Sequence, residues 1–73
     1  MKKTIAELTV GDIVETGSGQ QAVVSHVSPV RDGAVALSFN SLAGYYLTSA
    51  RLGAETLAKV VGHDDTYNLL AAR

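Results

Sequence analysis

Three short stretches hold the residue types that do chemistry. The first is Ser25-His26-Val27-Ser28. A hydroxyl beside an imidazole starts a nucleophilic site, but that site needs the hydroxyl, a base and an orienting acid to converge. Adjacent strand residues point to opposite faces, so Ser25 and His26 cannot pair on a strand. His26 therefore reads as a partly exposed strand histidine. The second stretch is His63-Asp64-Asp65, an imidazole and two carboxylates, which is a ligand set for a divalent ion. Consecutive residues rarely converge on one ion, and no other His or Cys is near in sequence. Acids at the positive end of a short helix explain this cluster better. The third is Gly17-Ser18-Gly19. A phosphate loop needs a helix N-terminus after it, and often a lysine. Strand formers follow here, so the glycines read as a hairpin turn. No catalytic residue, metal ligand or cofactor is expected.

The elements that must position these residues are small. At 73 residues the chain is one domain, near the lower end of what folds without a staple. It has no cysteine, so neither a disulfide nor a thiolate metal site can help. The apolar share is 47%, too high for general disorder, but it includes one Phe and no Trp. A core built of small side chains leaves a margin of roughly 3–5 kcal/mol. Self-association that buries more apolar surface is expected.

The net charge is −1, and six Lys and Arg are scattered among seven acids. Nucleic-acid modules show a basic patch, so nucleic acid is not an expected partner. No apolar run approaches the ~18 residues of a membrane span. Lys2 and Lys3 precede a short apolar patch interrupted by Glu7, which does not match a signal peptide. No membrane association and a cytoplasmic location are the expectations.

Thr4-Ile5-Ala6-Glu7 fits a capping box and predicts one helical turn. Thr9, Val10 and Gly11 stop it, with Leu8 and Val10 closing one end of the fold. Gly11-Asp12 turns the chain into a strand over 12–16. A second strand runs over 21–27. There Val23 and Val24 cannot share a face, so either both faces are covered or a bulge shifts the register. Pro29 marks a strand end, and Arg31-Asp32-Gly33 is a turn. The third strand, 34–40, alternates clearly, with Val35, Leu37 and Phe39 in the core. A fourth covers 45–50, with Tyr45 and Tyr46 on opposite faces, one in the core and one at the surface. Residues 51–56 read as a short helical turn and 57–61 as a fifth strand. A single helix over 49–60 is the alternative. After Gly62, residues 63–73 read as a short C-terminal helical tail. The fold class is mainly β: a five-stranded SH3-like barrel over 1–62, with a short N-terminal helical turn and the tail.

With those elements placed, Leu8-Thr9-Val10-Gly11-Asp12-Ile13-Val14, the Gly-rich turn, Ala22-Val23-Val24 and Lys59-Val60-Val61 can be compared with known families. Over about residues 4–62 the chain resembles small SH3-like barrel proteins of actinobacteria and their phages. The resemblance implies a barrel and a phage or mobile-element accessory role, and it implies no site residues. The layout is also similar to the type II dihydrofolate reductases. Their pore-lining Gln-Ile-Tyr strand is absent, since the matching strand reads Tyr45-Tyr46-Leu47. The opening is similar to self-splicing Hint domains, without their Cys or Ser nucleophile.

The functional expectation is a small non-catalytic binding or assembly module that works through protein–protein contacts, with itself or another protein. Its candidate surface is Tyr45, Tyr46, Tyr67, Leu69 and Leu70. A nucleic-acid-associated barrel is one alternative. An enzyme with a site at the pore of a symmetric oligomer is another.

Overall fold

The computed structural model describes residues 1–64; the C-terminal helix expected over 63–73, with Tyr67, Leu69 and Leu70, lies outside them except for its first two positions. Six strands form one antiparallel sheet: β1 (Lys2–Thr4), β2 (Asp12–Glu15), β3 (Gln21–Val27), β4 (Ala34–Asn40), β5 (Tyr46–Gly53) and β6 (Leu57–His63). Their spatial order is β1-β6-β2-β3-β4-β5. A single 3₁₀ turn, Ile5–Glu7, follows β1.

The Glu7 arm of the expected capping box is in place. Glu7 Oε1 accepts from the Thr4 amide at 2.9 Å and the Thr4 hydroxyl at 2.8 Å. The amide bond, followed by the hydroxyl, holds the Glu7 carboxyl below its ordinary range. The strands over 21–27 and 34–40 form where alternation places them. The loop before β4 is tight, with Asp32 at φ 54° and Gly33 at φ 71°. Two successive left-handed residues between Arg31 and Ala34, which exchange both backbone bonds, make the hairpin turn that favours Asp-Gly.

Five expectations need correction. The sheet has six strands, because Lys2-Lys3-Thr4 adds to β6 opposite Lys59, Ala58 and Leu57. So short and polar a segment carries no alternation to reveal it. Among the described residues no ladder joins β5 to β1, so the sheet is not a closed five-stranded barrel. Residues 51–53 are not a helical turn but continue β5, and only a tight turn, closed by a bond from the Thr56 amide to the Gly53 carbonyl, precedes β6. The helix over 49–60 does not form, because cross-strand pairing with β4 and β2 outweighs the helix propensity of Ala, Leu and Glu. Gly62 and His63 are the end of β6, not a break and the start of a helix.

The core consists of Ile5, Leu8, Val14, Val24, Val35, Leu37 and Val60, with Phe39, Leu52 and others packed against it. Val35 and Leu37 are buried as expected, Leu8 is buried in the same core, and Phe39 and Val10 are half-buried. Val23 and Val24 are both 0% exposed. Their opposite directions mean that β3 is covered on both faces at this point. The register then shifts between Val24 and His26, so cover and bulge are both present. The 3₁₀ turn ties the ends of the sheet together: the Ile5 amide donates to Thr56 and the Ala6 amide to Ala54.

Candidate functional site

The best-organised polar group among the described residues surrounds Asp12, at the start of β2. Its side chain is 2% exposed. The Gly11 turn before it aims the carboxylate inward, and three segments converge on it. Oδ2 accepts from the Thr9 amide at 3.0 Å and from Lys3 Nζ at 3.3 Å. Oδ1 lies 2.8 Å from His63 Nδ1. With Asp12 ionised, that nitrogen is the donor, so the contact selects the Nδ1–H tautomer. Burial pushes the Asp12 carboxyl up, but the bonds from Thr9, His63 and Lys3 outweigh it and hold it below the ordinary aspartate value.

An Asp–His pair beside a lysine has the outline of a general-base dyad. What the bonds show is a structural tie. Thr9 contributes its amide rather than its hydroxyl, and both carboxylate oxygens are consumed by bonds within the chain. Among the described residues no three His, Cys, Asp or Glu gather where they could hold a metal ion. Asp12 is a clamp that joins β1, the Thr9 turn, β2 and the end of β6. A cleft of about 540 Å³ opens beside it, walled by Val60, Val61 and Gly62.

Sequence reasoning found the Gly-Asp turn and noticed His63, but it did not connect them. They are 51 positions apart, and the signal that joins them is the β2–β6 ladder, in which Asp12 stands opposite His63. His63 is on a strand and paired to Asp12, which replaces the expected helix start. His26 is exposed on β3, as read. Gly17-Ser18-Gly19 closes the β2–β3 hairpin, where the Thr16 amide donates to Gln20.

Two of the candidate surface residues are placed together. Tyr45 is 74% exposed and Tyr46 65%, so neither enters the core, which corrects the expectation for one of them. Their position at the tip of the β4–β5 hairpin lies beyond the end of the core layer. Leu42 and Leu47 are exposed at the same hairpin. The Tyr46 hydroxyl meets Ser49 Oγ at 2.8 Å, and Ser49 Oγ meets Ser38 Oγ at 2.9 Å. Val14, Ala22, Phe39 and Leu47 line an apolar hollow of about 380 Å³ between this hairpin and the β2–β3 hairpin.

The two sheet edges differ in kind. β1 is three residues long and carries two lysines, features that discourage strand addition. β5 is eight residues long, has no proline and carries one charge, Arg51. Its bulge is confined to Leu47, because Phe39 pairs Thr48 and Asn40 pairs Tyr46. Residues 48–53 run in regular register with β4 and have no strand on their other side among the described residues. No helix among the described residues is long and apolar enough to cross a membrane. Comparisons of the chain with protein-family models, curated proteins and solved structures give no match.

Proposed function

We propose that the chain is a non-catalytic assembly module on an SH3-like scaffold, and that two copies join through β5. The observation that carries this reading is the asymmetry of the edges. A long, nearly uncharged edge is a template for another strand, and proteins that must stay monomeric blunt such edges. Here β1 is blunted and β5 is not. The second copy is the favoured occupant because the strand can pair with itself around a twofold axis. An antiparallel register centred on Ser49 places each Arg51 opposite Leu47 of the second copy and keeps the like charges apart. The exposed Tyr45, Tyr46, Leu42 and Leu47 flank that axis and add apolar area that so small a core lacks. The scaffold reading rests on the short hairpins and on the 3₁₀ turn that draws the β5–β6 turn towards β1.

Sedimentation over a range of concentrations tests it. The wild-type chain is expected to dimerise. Ser49→Lys places two ammonium groups at the axis and is expected to weaken the dimer by about tenfold or more, with an unchanged circular-dichroism spectrum. A chain that stays monomeric to about millimolar concentration, or a dimer indifferent to Ser49→Lys, overturns the proposal.

A further inference from the structure

We propose that the hollow between Arg31 and Arg51 is a binding site for a carboxylate carried on an apolar stem. Ala36 stands opposite Arg51 in the β4–β5 ladder, and Ala34 lies two residues along on the same face. Two methyl groups therefore form a floor where larger side chains would fill the space. Pro29 and Val30 wall it, and the hollow measures about 420 Å³.

The arginines are arranged for an anion. Arg51 Nη2 donates to the Arg31 carbonyl at 2.9 Å, which anchors one corner of the guanidinium and uses one of its five donors. Among the described residues no carboxylate lies within ion-pair distance of either guanidinium, whereas Lys3 and Lys59 each have one. Arg31 and Arg51 both line this hollow, and a guanidinium fork matches the planar two-oxygen face of a carboxylate. The apolar floor and walls suit methylene groups behind it. A polyanion is disfavoured by the overall charge of −1. The site does not depend on β5 self-pairing, because the Arg51 side chain stands on the face of the sheet rather than in its edge.

The full chain is titrated with hexanoate, with a capped peptide containing one glutamate, with inorganic phosphate, and with chloride at matched ionic strength. The readout is nuclear magnetic resonance of the arginine Nε–H groups and the Ala34 and Ala36 amides. Saturating shifts at these positions with a carboxylate are expected. Tighter binding of hexanoate identifies a free acid as the ligand type, and tighter binding of the peptide identifies an acidic protein segment. Arg51→Gln is expected to weaken binding by about tenfold or more. Arg51→Lys keeps the charge but not the fork, and it falls between the two. Shifts that track chloride, phosphate binding as tight as either carboxylate, or binding unchanged in both Arg51 variants overturns the site.

Discussion

Asp12→Ala is expected to bring the chain to the edge of unfolding at room temperature. The carboxylate is buried and accepts from an amide, an ammonium and an imidazole. Alanine removes every acceptor at once. Breaking a buried ion pair costs roughly 3–5 kcal/mol. Lys3 and His63 are partly exposed and can turn to water, which lowers the figure to about 2–4 kcal/mol. The Thr9 amide has less freedom to do so. Against a total of roughly 3–5 kcal/mol for so small a core, that loss decides the population. Asp12→Asn is expected to be milder. Its amide can donate to an unprotonated His63 Nδ1 while its oxygen serves Thr9 and Lys3. Urea denaturation of the three chains checks the order wild type, Asn, Ala; an alanine variant with the wild-type midpoint shows that the clamp contributes nothing.

The same group sets an acid limit. The folded-state pKa of Asp12 is lowered, so the unfolded chain binds its proton first. Its contribution is therefore fully present above the unfolded value of about 3.9. It is lost as pH falls from there through the lower folded value. Thermal melts between neutral pH and that window are expected to show little change from Asp12, followed by a steep fall that Asp12→Asn flattens.

Gly11→Ala is the second large effect. Gly11 sits at φ 99°, a backbone conformation that residues with a Cβ rarely adopt. Forcing alanine into it costs about 1–3 kcal/mol. A Cβ at this place also lies 2.6 Å from the Asp64 carbonyl oxygen and within 3.2 Å of the His63 ring. The Asp64 amide is bonded to the Gly11 carbonyl at 2.7 Å, so the two segments are held close and the clash falls on the Asp64 carbonyl and the His63 ring. Relief by shifting the end of β6 loosens His63 from Asp12. The prediction is a destabilisation of the same order as Asp12→Ala. The double variant is expected to lose less than the sum, because both changes break one contact set. A fully additive double-mutant cycle would show that Gly11 and the clamp are independent.

Much of the fold was legible locally. Alternation over 34–40 placed β4 and assigned Val35 and Leu37 to the core. Gly-Ser-Gly and Asp-Gly located two hairpins, and Thr4 with Glu7 located the 3₁₀ turn. The readings that failed depend on pairing between distant segments. Lys2-Lys3-Thr4 becomes a strand only because β6 is beside it. Residues 49–53 carry helix formers, yet they extend β5 because β4 offers each of them a partner in register. One of Tyr45 and Tyr46 was expected in the core from residue type and alternation, but at the tip of the β4–β5 hairpin both stand in solvent.

The candidate sites divide in the same way. The sequence alone determined that this is a small, cysteine-free, weakly charged β protein with Tyr45 and Tyr46 on a short hairpin. Those properties follow from composition and from side-chain period along one strand. The Asp12–His63 clamp, the open β5 edge and the Arg31–Arg51 hollow were decided by tertiary structure. Each depends on which strands are neighbours and which strand has none. Neighbour relations across a sheet leave no period along a single chain, so only the folded ladder reveals them.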